Sequence, residues 1–205
     1  METNLVNARL SNEVNLLPTD GIVNYYGTIF TVDESVEIID TLISTIQWKH
    51  DEAIIFGRHI ITKRKVAWYA DASMDYKYSN TTRKAIRWTD FLFKLKTKIE
   101  KFTKETYNSC LLNLYHDGNE GMAWHSDDEK ELKKEGCIAS LSFGAERRFL
   151  LKHRNTKEKI AVFLENGSLL VMKGSTQSHW LHSIPKSKKI QHGRINLTFR
   201  QMNDH

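Results

Sequence analysis

Cysteine is scarce: Cys110 and Cys137 are the only two in 205 residues, and neither sits in a Cys-x-x-Cys pair. That leaves no disulfide framework and fits reduced thiols inside a cell. No apolar run approaches the roughly 20 residues of a membrane span. Met1 to Leu10 has no signal-peptide core, so no membrane partner and no export are expected. Internal repeats, low-complexity tracts and a second-domain boundary are missing as well. What is present is ordinary for a soluble globular protein, 40% hydrophobic and 27% charged. The expectation is an intracellular monomer, cytoplasmic in a bacterium or nuclear in a eukaryote. Residues 1–20 form an N-terminal extension, and 21–205 form one domain.

A net charge of +5 and a pI near 9.1 favour a polyanionic partner. The excess is clustered at Lys63-Arg64-Lys65, Arg147-Arg148, Lys152-His153-Arg154 and Lys186-Lys188-Lys189. Any one cluster can be a solvated loop; several in a small domain point to a nucleic-acid surface.

The periodicity predicts two amphipathic helices. One starts at Asp33-Glu34 with Val36, Ile39, Ile43 and Ile46 on its apolar face. The other starts near Thr89-Asp90 with Phe91, Leu95, Ile99 and Phe102. Between them, Ile54 to Tyr78 alternates short β-type stretches with basic and polar turns. After Tyr107, short strands follow one another over Cys110–Tyr115, Cys137–Phe143, Arg148–Lys152, Lys159–Leu164, Ser168–Met172, His179–His182 and Ile195–Arg200. This pattern predicts an α+β chain in which helices support a C-terminal antiparallel barrel.

Three stretches carry chemistry. On an extended segment His125 and Asp127, two residues apart, point the same way and can share a target. A surface His–Asp pair would have the same spelling. In His179-Trp180-Leu181-His182-Ser183, alternation puts the two histidines on opposite faces, so one belongs to the site, and His182 is taken. Two imidazoles and a carboxylate can hold one face of a ferrous ion and leave positions open. In the last strand Arg194, Asn196, Thr198 and Arg200 alternate strictly with Ile195, Leu197 and Phe199. Its polar face offers two guanidinium forks suited to a small dicarboxylate. Asn113 and Tyr115, again two apart, could complete that pocket.

The ordered set Asn113-Leu114-Tyr115, His125-Ser126-Asp127-Asp128-Glu129, Ser142-Phe143-Gly144-Ala145, His179 to Ser183 and Arg194 to Arg200 resembles the AlkB family of Fe(II)- and 2-oxoglutarate-dependent nucleic-acid dealkylases, over roughly residues 50–201. The likeness is greatest to the branch that acts on duplex DNA. It implies a double-stranded β-helix (jelly-roll) core with Fe(II) on His125, Asp127 and His182. It also implies 2-oxoglutarate held by Arg200 at its far carboxylate and by Arg194 at its near end. Asn113, Tyr115, Asn196 and Thr198 would line that pocket. In such enzymes O2 and 2-oxoglutarate give succinate and CO2, and the N-alkyl group of a damaged base leaves as formaldehyde.

The same resemblance implies a nucleotide-recognition segment around residues 50–80. Ile55-Phe56-Gly57 resembles an apolar finger that fills the gap left by an extruded base. Tyr76 and Tyr78 sit where the family stacks the base, and Arg58 and Arg64 where it contacts phosphate or base. Lys63 departs from the expected proline. Asp128 and Glu129 resemble acids that contact the base, which is cationic when alkylated at N1 of adenine or N3 of cytosine. A charged loop running into Lys130-Glu131 is the other reading of them. Alkylated DNA is the expected partner, with RNA, another substrate of the same chemistry, or a catalytically silent nucleic-acid-binding jelly roll as alternatives.

Overall fold

The structure is a computed structural model that describes residues 4–5, 14–55, 58–71, 75–78 and 81–203. Its elements, in chain order, are β1 (Asn4–Leu5), β2 (Ile22–Thr28), α1 (Val32–Thr45), β3 (Lys49–Ile55), β4 (Arg58–Ala70), β5 (Asp75–Tyr78), β6 (Thr81–Lys84), β7 (Ile86–Arg87) and α2 (Asp90–Thr103). There follow β8 (Ser109–Tyr115), β9 (Met122–His125), β10 (Ile138–Gly144), β11 (Arg147–His153), β12 (Lys159–Leu164), β13 (Ser168–Lys173), α3 (Thr176–His179), β14 (Trp180–Ile184) and β15 (Arg194–Arg200).

From β8 onward the chain winds back and forth between two sheets. β8, β10, β13 and β15 lie in a large sheet ordered β2-β13-β10-β15-β8-β4-β3, with β7 beside β4. β9, β11, β12 and β14 lie in a small sheet ordered β1-β12-β11-β14-β9. This winding is a double-stranded β-helix, the jelly roll anticipated from sequence. One core fills the space between the sheets, from Val23 and Tyr25 through Phe149, Leu151, Val162 and Leu170 to Trp180. A second core lies on the other face of the large sheet, where Ala139, Leu141, Phe143, Ile195, Leu197 and Phe199 meet Ile38 and Leu42 of α1 and Leu92, Leu95 and Ile99 of α2. The large sheet is therefore apolar toward the helices, which frees its opposite face for polar chemistry. Leu17, within the segment read as an extension, is buried in the inter-sheet core.

The helices start where expected and dock on a different stripe. Thr31 caps α1: its hydroxyl accepts from the Glu34 N–H (3.1 Å) and its own N–H donates to Glu34 Oε2 (2.7 Å), a reciprocal capping box. The buried residues of α1 are Ser35, Ile38 and Leu42, whereas Val36 and Ile43 are exposed. In α2, Leu92 joins Leu95 and Ile99 inside, and Phe102 is exposed. The segment read as short stretches and turns is a long hairpin of β3 and β4, and Lys63-Arg64-Lys65 lies inside the 13-residue β4. Alternation there sends Arg64 inward and leaves Lys63 exposed.

Candidate active site

His125 ends β9, Asp127 lies just beyond it, and His182 is the third residue of β14, paired directly across the ladder from His125. The hydrogen-bonded pairing of the edge strand β9 with its neighbour β14 brings together residues 57 positions apart. Each contributes a ligand atom, and these lie within 4.8 Å of one another. His125 Nε2 and His182 Nε2 stand 3.7 and 3.8 Å from the same oxygen, Asp127 Oδ1.

The hydrogen bonds around this group select its protonation. The Nδ1 of His125 lies 2.8 Å from the carbonyl oxygen of Ala123, so Nδ1 carries the proton and Nε2 presents a lone pair inward. Arg200 donates from Nε (2.9 Å) and Nη2 (2.7 Å) to Asp127 Oδ2, which turns Oδ1 toward the imidazoles. Burial by itself would raise the Asp127 carboxyl, but Arg200 and the two histidines outweigh it and hold it at about 2. Burial pushes His182 down to about 3, a neutral imidazole at physiological pH. Two imidazoles and one carboxylate on one side of a cavity form a facial triad, and they suit a divalent iron with open positions.

Among the described residues a second group, Asp20, His153 and His179, has the same residue types and a similar spacing. Its hydrogen bonding is the reverse. The Thr156 N–H donates to His153 Nδ1 (3.1 Å), so the proton of His153 sits on Nε2 and faces Asp20 Oδ2 (3.2 Å). A protonated nitrogen cannot ligate, and this cluster is a structural latch between residue 20 and the β11–β12 turn. His179, the histidine set aside from sequence, ends α3 and stacks on His153.

A cavity of ≈ 60 Å³ extends from the triad between the sheets. Its polar wall is the inner face of three neighbouring strands: Asn113 and Tyr115 from β8, Arg194, Asn196, Thr198 and Arg200 from β15, and Ser140 from β10. Every residue of β15 is buried. The polar face that in an ordinary strand would be wet is here inside the barrel. Asn196 Nδ2 donates to Ser140 Oγ (2.9 Å) and Arg194 Nη2 to Ser142 Oγ (2.9 Å). Met122, Phe149, Met172 and Ile184 form the apolar wall. The two serines were missed from sequence, although they alternate with Ala139, Leu141 and Phe143 as the β15 residues do.

Arg194 and Arg200 occupy ends opposite to those expected. Arg200 is bound to the triad carboxylate and therefore stands at the near end. Arg194, six residues back along β15, pairs with Tyr115 across the ladder. It is 2% exposed, and its Nε and Nη1 have no hydrogen-bond partner. Burial lowers this guanidinium to about 10, so it stays charged at neutral pH. A buried, charged, incompletely bonded fork lining a cavity is suited to a carboxylate. The residues thus fit both Fe(II) and 2-oxoglutarate.

The residues expected at the substrate are distributed differently. Phe56 and Gly57 lie outside the described residues; Arg58 opens β4, and Tyr76 and Tyr78 lie on β5. Arg64 is not a surface contact: it is buried in an ion pair with Asp51, beside Met122 Sδ (3.2 Å) and the Tyr115 ring (5.7 Å). Asp128 is exposed, 3.6 Å from Arg154. Glu129 has one carboxylate oxygen buried without a hydrogen-bond partner, beside a hollow of ≈ 380 Å³ that also touches Asp127 and Arg200. A groove of ≈ 1290 Å³ runs between β9 and the β3–β4 hairpin, lined by His50, Lys63, Trp124 and Lys186. Met122 and Ile184 border both this groove and the small cavity. Of the basic clusters, Arg147 is turned inward onto the carbonyls of Glu120 (2.7 Å) and Pro185 (3.0 Å), and His153 is buried. Lys186, Lys188 and Lys189 remain exposed.

Jelly roll, facial triad and buried arginine together define a 2-oxoglutarate-dependent iron oxygenase, and the family model described as the 2OG-Fe(II) oxygenase superfamily matches residues 21–200. The Mus musculus protein named alpha-ketoglutarate-dependent dioxygenase alkB homolog 3 is 36% identical over 200 residues, covering 92% of this chain and 69% of that protein. The Homo sapiens protein named DNA oxidative demethylase ALKBH2 is 34% identical over 194 residues, covering 89% and 74%. The solved structure of OsALKBH1 superimposes with a TM-score of 0.60 at 17% identity, covering 90% of this chain and 99% of that one, which bears on the fold. The chain belongs to the AlkB family of 2-oxoglutarate- and Fe(II)-dependent dioxygenases.

Proposed function

We propose that this enzyme repairs DNA by oxidative removal of N-alkyl groups from bases of the 1-methyladenine and 3-methylcytosine type. The observation that carries the reading is the convergence of His125, Asp127 and His182 at one end of a buried cavity whose other end holds the unsatisfied Arg194 guanidinium. His125 Nε2, Asp127 Oδ1 and His182 Nε2 would hold the metal. Arg194, with Tyr115 beside it, would bind the far carboxylate of 2-oxoglutarate, while Asn113, Asn196 and Thr198 line its length. When bound, the ferrous centre supplies the oxidation: O2 and 2-oxoglutarate yield succinate and CO2, and the second oxygen atom enters an N-alkyl C–H bond. The resulting cationic N-hydroxymethyl group loses formaldehyde and a proton, and leaves the ring nitrogen with its lone pair restored.

The protein's part is placement and exclusion of water. Arg200 orients the triad carboxylate, and the wall of Met122, Phe149, Met172 and Ile184 keeps the cavity dry. The buried Glu129 oxygen near the triad suits a cationic alkylated base, since an opposite charge offsets its burial. Exposed Lys63, Lys186, Lys188 and Lys189 suit the flanking phosphates. DNA is supported as substrate by the name of the ALKBH2 relatives, DNA oxidative demethylase.

The test is formaldehyde and succinate release from 1-methyladenine placed in duplex DNA, single-stranded DNA and RNA. One formaldehyde per methyl group from DNA, in step with succinate, is expected. Release from RNA alone would replace DNA with RNA. Conversion of 2-oxoglutarate without formaldehyde from any methylated nucleic acid would overturn the reading.

A further inference from the structure

The metal carboxylate lies on a segment with no ladder of its own. β9 stops at His125, and Ser126 to Glu129 run on as irregular chain. Two side chains remote in sequence hold this segment. The backbone N–H of Asp127 donates to Gln177 Oε1 (2.9 Å), and Gln177 Nε2 in turn donates to Met172 Sδ (3.4 Å). Arg154, from the β11–β12 turn, donates from Nη2 to Ser126 Oγ (2.7 Å), and the same nitrogen lies 3.6 Å from Asp128 Oδ2. The Arg154 backbone is itself tied to the end of α3 through its N–H to the His179 carbonyl (2.8 Å). Gln177 also lies on α3, five residues before His182.

We infer that Arg154 and Gln177 are positioning residues: a clamp that fixes Ser126–Asp128 against the segment carrying His182, so that the three ligands stay in register. The inference rests on the reading of the triad as the metal site. Its physical basis is that an irregular segment has many accessible conformations, whereas metal affinity requires one. Arg154 belongs to a basic cluster that would otherwise be assigned to phosphate. Its side chain is 38% exposed, but its Nε is buried and its Nη2 is turned onto Ser126 and Asp128, which directs the guanidinium at the metal-ligand segment. Gln177 carries no charge and gives no sequence signal, and its amide oxygen meets a backbone donor at the central ligand.

The experiment uses the full chain and Co(II) as probe, with binding followed by calorimetry and by the d–d absorption of the bound ion. Outer residues that orient ligands typically contribute about 10- to 100-fold in metal affinity. Arg154→Met and Gln177→Ala should each weaken Co(II) binding about tenfold, with melting temperatures close to wild type. Arg154→Lys, which keeps one donor for Ser126, should recover most of the loss. The same variants are titrated with an oligonucleotide at several salt concentrations, and an unchanged slope is expected. Wild-type Co(II) affinity in both variants overturns the clamp. A reduced salt slope for Arg154→Met with unaltered Co(II) affinity also overturns it, and makes Arg154 a phosphate contact. If Arg154→Met fails to fold, Gln177→Ala decides alone. Wild-type protein that binds Co(II) no better than His125→Ala would overturn the metal reading and the clamp together.

Discussion

Replacing Arg194 by methionine separates binding from stability in a way few other substitutions in this barrel would. Methionine keeps much of the volume and removes the charge. In the free protein Arg194 is buried, donates to Ser142, and leaves Nε and Nη1 unbonded. Two unmet donors on a buried cation cost of order 1–3 kcal/mol each. Their removal offsets the lost Ser142 bond, so the melting temperature of the free variant should equal or exceed that of wild type. With 2-oxoglutarate the sign reverses. Two charge-assisted bonds at about 1.5–3 kcal/mol each give roughly 3–6 kcal/mol, or on the order of 10² to 10⁴ in Kd at 1.4 kcal/mol per decade. Thermal shift with Mn(II) as an inert stand-in for iron reads both effects. A ligand at 100 times its Kd stabilises by about 2.7 kcal/mol, and each kcal/mol moves the midpoint of a domain this size by about 2–4 °C. Wild type should therefore gain roughly 5–11 °C, and the variant almost nothing. A free variant that melts several degrees lower yet binds 2-oxoglutarate normally would refute the assignment of Arg194 as the carboxylate receptor.

Asp127→Ala and His125→Ala should both abolish formaldehyde release but differ in stability. Asp127 accepts two bonds from Arg200 in the interior, and breaking such a buried pair costs about 3–5 kcal/mol; the half-buried His125 has no comparable partner, and equal denaturation midpoints would contradict this difference. Tyr25 is held by burial at about 12, above its ordinary 10.0. The folded state keeps a proton that the unfolded chain releases, so the Tyr25 contribution is intact below pH 10 and lost as pH rises from 10 to about 12. Tyr25→Phe should flatten the alkaline end of the stability curve, and an unaltered profile would count against that burial. Alanine at Lys186, Lys188 and Lys189 should weaken DNA binding most at low salt and lower the slope of log K against log salt by about 0.9 for each phosphate left unneutralised; a parallel slope would remove this loop from the DNA footprint.

Those residues were legible in the sequence to unequal degrees, for physical reasons. The inward polar face of β15 was visible because a strand alternates with period two, and seven residues kept strict alternation. Which arginine lies near the metal was not visible. Six residues of strand set the two Cα atoms about 20 Å apart, and only the placement of β9 beside β14 decides which end meets Asp127. The stripe that α1 buries was equally open. Val36, Ile39 and Ile43 are as apolar as Ile38 and Leu42, and the stripe that is buried includes the small, polar Ser35, which hydropathy alone would not place inside. The long β4 read as a short stretch and basic turns because Lys63-Arg64-Lys65 interrupts its apolar pattern. The partner that makes Arg64 tolerable inside, Asp51, lies on another strand and is invisible to any local pattern. Gln177 and Arg154 act through tertiary contacts alone.

The buried arginines also explain why the site should be read as built for a ligand. Four are buried among the described residues: Arg64, Arg147, Arg194 and Arg200. Arg64 has the Asp51 carboxylate, Arg200 the Asp127 carboxylate, and Arg147 backbone carbonyls. Arg194 has a serine hydroxyl and the neighbouring Tyr115. Desolvating a charge with so little compensation is costly, and a hydrophobic residue of similar volume would often be as stable or more so. Ser142, which accepts from Arg194, could have been a carboxylate at the same register position and would then have neutralised Arg194 internally. Leaving the fork unneutralised makes sense if its counter-ion arrives from outside. A dicarboxylate brings two negative charges and a divalent metal two positive ones, so the pair enters the barrel without changing its net charge. Either alone would leave the interior two charges further from its starting balance.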